Sequence, residues 1–236
     1  MLEQIINCQN KRTPSPQCQR PILYTNYASE SSWRVRIALE WKGIDYETRY
    51  INLATGEHLT EAYSEINPCR QLPCLITKTG KIITQSIAII EYLEATYPER
   101  PIFPKSPLLK AEALSVALNI ACDIQPLQAE RVLNCLEIGG ELRQQFCRRM
   151  LEIGLQGLES RLEKISGTYC IGEHITIADF CLVPMVFTAR KKHNIDLKPY
   201  PYITKIRNTL MTLPEFRKSH PFNQPDCPQD KKEPVS

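Results

Sequence analysis

The stretch PILYTNYASESSWRVRIAL, residues 21–39, determines the architecture of the first half of the chain. Its apolar opening, Ile22 to Thr25, predicts a strand, and the run from about Ser32 to Lys42 predicts a helix. A second strand is expected from Tyr46 to Ile51, so the three elements form a βαβ unit. Ser29 lies at the turn between the first strand and the helix. Backbone N–H groups and the positive end of the helix dipole surround such a position, so we expect Ser29 to face an anion.

A hairpin and a further helix complete the predicted first domain. A short helical stretch near Thr60 to Ile66 precedes two apolar runs, Cys74 to Thr77 and Lys81 to Thr84, which flank a turn and predict a β-hairpin. Ser86 then opens a helix that ends before Pro98. The domain is therefore expected to hold a mixed four-stranded sheet with helices, an α/β arrangement.

The second half of the chain changes character after a proline-rich segment. Four prolines occur from Pro98 to Pro107 inclusive, and beyond them the strand signals give way to long helical periods. Thr176 followed by Asp179 predicts a capping box at a helix start. The expected helices are about 108–136, 141–165, 177–192 and 202–213. The expected divisions are a disordered extension over 1–20, a sheet domain over 21–99, a linker over 100–107, an all-helical domain over 108–222 and a flexible tail over 223–236.

Composition and charge exclude several classes of protein. The chain of 236 residues is 42% hydrophobic, enough to bury one large core or two modest ones. A net charge of +3, with both signs interspersed, does not form the basic stripe that a nucleic acid requires. No apolar run approaches the roughly 20 residues of a membrane span, and Met1 to Arg20 lacks the apolar centre of a secretory signal. We therefore expect a cytoplasmic protein without nucleic-acid or membrane partners.

Ten cysteines are present, but their spacing favours reduced thiols. The chain has no Cys-x-x-Cys pair and no Cys/His cluster at zinc spacing. Several cysteines lie in apolar helical patterns, where cysteine usually behaves as a small hydrophobic residue. We expect neither a disulfide framework nor a metal site.

These motifs, in this order, resemble one enzyme family. The predicted βαβ and ββα units, the proline before the third strand and the helical second domain resemble the glutathione transferase architecture, with a thioredoxin-like first domain. Residues 29–39 resemble the zeta-class signature, and the similarity runs from about Pro21 to Pro228. Further matching segments are Lys42–Glu47, Asn67-Pro68, Gln85-Ser86, Ile124–Gln128, Tyr169–Gly172 and Pro199–Pro201. The family that the resemblance implies is the zeta class, which contains the maleylacetoacetate isomerases.

The resemblance implies a glutathione-dependent enzyme that forms a homodimer. The implied reaction is cis–trans isomerisation of maleylacetoacetate, a dicarboxylate, by thiolate addition, bond rotation and elimination. One alternative is a transferase that acts on small α-halo acids or other electrophiles. Another is a binding module of the same fold without catalysis, although the retained Ser29 argues against it.

The resemblance also implies roles for individual residues. Ser29 would donate a hydrogen bond to the glutathione sulfur and so favour the thiolate, whereas by itself it could be an ordinary helix-capping serine. Leu72, before a cis Pro73, would pair with the cysteinyl backbone, and Ser86 would receive the γ-glutamyl carboxylate. The full set implied for glutathione is Ser29, Glu30, Ser31, Ser32, Trp33, Arg34, His58, Leu72, Gln85, Ser86 and Gln125.

Cationic side chains are expected to bind the substrate carboxylates. Arg34 is the catalytic candidate beside the thiol, and Arg190 or Lys191 lies where the family has a substrate-binding arginine. Two departures from the family motif stand out: Ser31 replaces a cysteine, and Glu30 replaces a serine. A carboxylate at residue 30 would oppose thiol ionisation unless it points outward or pairs with a neighbouring arginine.

Overall fold

The computed structural model describes residues 19–135 and 139–235. The predicted extension over 1–20 lies outside these ranges, apart from its last two residues. The described chain divides into two compact units: the segment up to Arg100 together with the segment from Lys218 onward, and Pro101–Arg217. The sequence had placed residues 218–222 in the helical domain and 223–236 in a tail, whereas the structure groups them with the first unit.

The first unit is built on a four-stranded mixed sheet, as predicted. The strands stand in the order β2-β1-β3-β4. Strand β1 pairs in parallel with β2 and antiparallel with β3, which itself pairs antiparallel with β4. The strands are β1 (Ile22–Thr25), β2 (Glu47–Tyr50), β3 (Cys74–Ile76) and β4 (Ile82–Thr84).

Three helices accompany this sheet: α1 (Glu30–Lys42), α2 (Glu61–Ile66) and α3 (Ser86–Thr96). Tyr63 and Ile66 of α2 pack in an apolar cluster with Tyr24 and other residues of β1 and β3. Side chains alternate between the two faces of a strand, so Leu23, fully buried beside Tyr24, points to the opposite face. Helices α1 and α3 pack against each other.

The second unit is helical. Its helices are α4 (Pro107–Leu118), α5 (Glu130–Cys135), α6 (Gly140–Ile165), α7 (Ile177–His193), α8 (Pro201–Leu210) and α9 (Pro214–Lys218), the last of which ends at the first residue of the returning segment. The predicted capping box of α7 is confirmed: Asp179 Oδ2 accepts the Thr176 N–H at 2.7 Å, and Thr176 Oγ1 accepts the Ala178 N–H at 3.3 Å. Helix α7 is buried along most of its length because it forms the centre of this unit.

The single helix predicted over 108–136 was wrong. Helix α4 ends at Leu118, and the chain continues as a π-helical segment, Asn119–Ile124, and a 3₁₀ turn, Gln125–Gln128, before α5 begins. Pro126 explains the break, because it has no N–H to donate and its ring clashes with the preceding turn of an α-helix.

Candidate active site

Ser29 is the N-cap residue of α1, at the turn where the sequence predicted it. Its backbone is extended, its side-chain Oγ accepts the N–H of Ser32 at 3.2 Å, and its carbonyl accepts the N–H of Trp33 at 2.9 Å. A serine hydroxyl can accept and donate at the same time. The Ser29 Oγ therefore caps the helix and still has a proton for a further acceptor, so the capping role and the proposed role toward sulfur are compatible.

The rest of the first turn of α1 is largely buried. Glu30 is 9% exposed and Ser32 is fully buried, while Ser31 is half-buried. Glu30 is buried in the first turn of α1, so its negative charge lies at the positive end of the same helix that Ser29 caps. Trp33 is 1% exposed, and its indole N–H donates to Ser219 Oγ at 3.0 Å.

Arg34 and Ser86 are two predicted site residues that the fold brings together. Arg34 is 1% exposed, and its Nη1 donates to Ser86 Oγ at 3.2 Å. Ser86 is the first residue of α3, so its own N–H and hydroxyl proton lie at a helix N-terminus where a carboxylate is favoured. The guanidinium adds positive charge behind this position.

The residues flanking Ser86 and β3 have unusual backbones. Gln85, just before α3, has φ of 70°, a conformation that side chains other than glycine rarely adopt. Backbone strain of this kind costs about 1–3 kcal/mol and concentrates at functional sites. The predicted cis peptide bond between Leu72 and Pro73 is confirmed, and Leu72 also packs against the apolar cluster of the sheet.

The remaining candidates occupy different environments. His58 lies in a 3₁₀ turn, and burial lowers its pKa, so it is neutral at physiological pH and any contact with a carboxylate would be a neutral N–H donation. Gln125 opens the 3₁₀ turn after the π-helical segment of the second unit. Arg190 and Lys191 are both exposed in the last turn of α7. The grouping of these four residues around one ligand stays a prediction.

The sequence analysis assigned no binding role to Arg36, which lies beneath the Ser29 turn. Arg36 is 1% exposed, and its guanidinium donates to Thr25 Oγ1, to the Asn26 and Tyr27 carbonyls and to the Ser219 carbonyl. Burial lowers its pKa to about 10, so it remains a cation at neutral pH. The available signal was a second arginine on an otherwise apolar helix, because a buried guanidinium requires several acceptors.

Comparisons with known proteins identify the family to which both parts of the chain belong. A family model described as "Glutathione S-transferase, N-terminal domain" matches residues 28–96, and one described as "Glutathione S-transferase, C-terminal domain" matches residues 139–218. The fold and the matched domains define the class of the glutathione transferases.

Individual relatives narrow this class. Maleylacetoacetate isomerase of Mus musculus is 42% identical, over 91% of this chain and 98% of the mouse protein. A maleylacetoacetate isomerase structure from Methylobacterium extorquens AM1 with bound malonate and GSH has a TM-score of 0.84 and 34% identity, covering 88% of this chain and 99% of that one. A maleyl pyruvate isomerase described as a bacterial zeta-class enzyme has a TM-score of 0.83 and 32% identity, covering 88% of this chain and all of that one. The chain belongs to the zeta-class family of maleylacetoacetate isomerases.

Two further properties can be stated for residues 19–135 and 139–235. In that part of the chain no helix is long and apolar enough to cross a membrane. Within the same ranges, no group of three or more His, Cys, Asp or Glu side chains is placed to hold a metal ion.

Proposed function

We propose that this chain catalyses the glutathione-dependent cis–trans isomerisation of maleylacetoacetate to fumarylacetoacetate, a step in the breakdown of tyrosine and phenylalanine. Family membership supports the reaction. The single structural observation that carries it is the Ser29 hydroxyl, which caps α1 through its oxygen and retains its proton for an anionic acceptor.

The residues of the first unit fit glutathione, which carries a thiol at its centre and a carboxylate at each end. Ser29 at the start of α1 offers a donor for the sulfur, and Ser86 at the start of α3 offers two donors for a carboxylate. The Arg34 guanidinium donates a charge-assisted hydrogen bond to the Ser86 Oγ, so the hydroxyl proton of Ser86 remains available for the carboxylate. When bound there, glutathione would supply a thiolate as the nucleophile for a reversible addition to the cis double bond, which allows rotation before elimination returns the thiolate and the trans product.

The protein's own contribution is mainly electrostatic. A free thiol has a pKa of about 8.5, so only a small fraction is ionised at neutral pH. The Ser29 hydroxyl and the positive end of α1 favour the charged form. We assign the substrate carboxylates to Arg190 or Lys191, with Gln125 as a further polar contact, and we keep Arg34 as the catalytic candidate beside the thiol.

The relatives favour this reaction over the alternatives. A transferase for α-halo acids would use the same thiolate, and a binding module would need only the glutathione contacts. The similar proteins over most of the chain bear the names of maleylacetoacetate or maleylpyruvate isomerases.

The test follows conversion of maleylacetone, with and without millimolar glutathione, for the wild type and Ser29→Ala. We expect turnover that requires glutathione and a loss on the order of 100-fold in kcat for Ser29→Ala. Ser160→Ala is the matched control, because that exposed serine hydroxyl only donates to a carbonyl one turn earlier in α6. Unchanged turnover in Ser29→Ala would disprove the role of Ser29.

We also infer a homodimer located in the cytoplasm. The family resemblance supports the dimer, and the composition supports the location. Light scattering of the purified protein tests the assembly: twice the 27.1 kDa chain mass is expected, and a mass equal to one chain would contradict it.

A further inference from the structure

The segment after α9 reaches the turn that carries Ser29. We define the C-terminal strap as residues 219–231, which belong to the first unit. We propose that Asp226 of this strap is a positioning residue for catalysis: its carboxylate holds the Tyr27 N–H and thereby fixes the Ser29 hydroxyl. The proposal rests on the proposed role of Ser29.

The turn before Ser29 is fixed at each step by a hydrogen bond. The Asn26 carbonyl accepts the Ser29 N–H at 3.1 Å, and Asn26 Oδ1 accepts the Ala28 N–H at 3.0 Å. Asn26 Nδ2 donates in turn to the Ile51 carbonyl at 2.9 Å, which ties the turn to the end of β2. The Tyr27 carbonyl accepts from Arg36 at 3.3 Å.

One backbone donor of this turn, the Tyr27 N–H, has its hydrogen-bond acceptor in the strap. Asp226 Oδ2 accepts it at 2.8 Å, across 199 residues of sequence. Burial raises the pKa of the Asp226 carboxyl, whereas the Tyr27 N–H and then the Arg36 guanidinium beneath the same turn favour its ionised form. Without that carboxylate, a partly buried backbone N–H two residues before Ser29 would lose its protein acceptor, and the turn would lose the bond that ties it to the strap.

Hydrogen bonds to α1 fix the start of the strap that carries Asp226. Ser219 receives two hydrogen bonds from buried residues of α1, from Trp33 at its Oγ and from Arg36 Nε at its carbonyl, at 3.0 and 3.2 Å. The ring of His220 packs edge-on against Trp33, with centroids 5.0 Å apart. Trp33 and Arg36 of α1 therefore contact both the Ser29 turn and Ser219, the first residue of the strap.

The chain between Ser219 and Asp226 is itself held. Gln224 is 8% exposed, and its Nε2 donates to the carbonyls of Lys218 and His220, each at 3.1 Å. The Cys227 N–H donates to the Gln224 carbonyl at 3.1 Å. Gln224 thus closes the strap into a compact loop and places Asp226 at a defined position relative to Ser219.

Positioning of this kind matters because a hydroxyl-to-sulfur hydrogen bond depends steeply on distance and angle. A small displacement of the Tyr27 peptide would move the Ser29 Oγ and raise the pKa of a thiol bound beside it. The predicted effect of losing the Asp226 carboxylate is a weaker thiolate and a slower reaction, with a smaller effect on the KM for maleylacetone.

The experiment compares Asp226→Ala and Asp226→Asn with the wild type and Ser29→Ala. The pKa of the enzyme-bound glutathione thiol is measured from thiolate ultraviolet absorbance against pH, alongside kcat and KM for maleylacetone. We expect Asp226→Ala to lose about 10-fold in kcat and to raise the thiol pKa. Asparagine retains a side-chain oxygen that can accept the Tyr27 N–H, so Asp226→Asn should stay within about threefold of the wild type.

Lys231→Ala is the control on the same strap, because the Lys231 side chain donates to the Tyr27 hydroxyl, at 3.4 Å, and not to the Tyr27 backbone; it should leave both quantities unchanged. If Asp226→Ala does not fold, Asp226→Glu, which keeps the charge and shifts the carboxylate by one methylene, takes its place with the same expectation. An unaltered thiol pKa in the Ala or Glu variant, or an Asn variant as impaired as Ala, would overturn the proposal. If Ser29→Ala also behaves as the wild type, the proposed role of Ser29 has failed; if the wild type does not convert maleylacetone with glutathione, the proposed function has failed.

Discussion

Glu30 is the residue at which this chain departs most clearly from the zeta-class motif. Glu30 is 9% exposed and is the first residue of α1, directly after the N-cap residue Ser29. Two negative groups at one helix N-terminus oppose each other's ionisation. We therefore predict that Glu30→Ser lowers the pKa of bound glutathione by about one unit, measured by thiolate absorbance against pH.

The control for this substitution is Glu61→Ser. Glu61 also lies in the first turn of a helix, α2, but its side chain is exposed. Its replacement should leave the thiol pKa unchanged. A thiol pKa in Glu30→Ser equal to that of the wild type would show that the carboxylate at residue 30 is already neutralised in the native protein.

The lowered pKa of His193, the last residue of α7, leads us to predict that the stability of the protein depends on pH. His193 is 8% exposed, its Nε2 has no hydrogen-bond partner among the described residues, and its pKa is lowered to about 4 by burial, then by Lys192 and Arg148. The folded-state pKa lies below the unfolded value of about 6.5, so the unfolded chain binds the proton more readily. Stability is fully present above pH 6.5 and is lost as the pH falls toward 4.

Urea unfolding at several pH values tests this prediction. Between pH 7 and 4.5, the wild type should lose on the order of 1–2 kcal/mol more than His193→Leu, which cannot be protonated. His174→Leu, at an exposed histidine, should follow the wild-type pH dependence. Parallel curves for the wild type and His193→Leu would contradict the prediction.

At the scale of single residues, the sequence located the Ser29 and Ser86 hydroxyls but not the buried guanidinium contacts beside them. Ser29 and Ser86 were predicted from their places at helix starts, a local property. The burial of Arg34 and Arg36 could not be predicted from nearby residues alone, because each guanidinium also donates to a distant acceptor, Ser86 at 52 and Ser219 at 183 residues away. Asp226 was assigned to a flexible tail for the same reason.

Among the elements, helix α6 contains two glycines that provide a matched pair. A Cβ at Gly154 would lie 2.6 Å from Ile124 of the π-helical segment, whereas a Cβ at Gly157 would meet nothing within 4 Å. Isoleucine is stiff at χ1, so it cannot easily yield. We predict that Gly154→Ala destabilises the protein by about 1–3 kcal/mol and that Gly157→Ala stabilises it by about 0.5–1 kcal/mol.

Urea or thermal unfolding of the two variants shows whether the contact with Ile124 or the helix propensity of alanine determines the change in stability at Gly154. Both substitutions place alanine in the same helix, so helix propensity alone would give both the same sign. Stabilisation by Gly154→Ala would show that Ile124 does not pack against α6 as described. The comparison also tests the segment that the sequence analysis predicted wrongly.

The elements that local patterns specify were predicted well. The strands of the sheet, the start of α1 and the capping box of α7 depend on periodicity and on side chains within a few residues. The end of the α-helix at Leu118 was not predicted because the apolar pattern continues beyond it, although Pro126 indicated that an α-helix could not continue unbroken to residue 136. The pattern indicated which residues are buried but not how the backbone makes its hydrogen bonds.

For the whole molecule, the candidate residues divide between the two units. The candidates for glutathione lie in the first unit, apart from Gln125, whereas the cations proposed for the substrate carboxylates, Arg190 and Lys191, lie in the second. Under the proposed assignments, glutathione binding would depend mainly on residues of the first unit and substrate binding on residues of the second. This division predicts that substitutions in the two units affect different kinetic constants.

Alanine variants of Ser86, Arg190 and Lys191 test this division in the intact protein. Ser86→Ala should raise the KM for glutathione by about 10-fold, because a carboxylate loses a hydroxyl donor at the start of α3. The variant at the substrate-binding cation should instead raise the KM for maleylacetone by about 10–100-fold and leave glutathione affinity, measured by calorimetry, unchanged. Lys192→Ala is the control, since that neighbouring exposed lysine pairs with Glu130 at 3.4 Å. If Arg190→Ala and Lys191→Ala both match Lys192→Ala, the end of α7 does not bind the substrate, and the carboxylates must be held by other residues, with Arg34 the next to test.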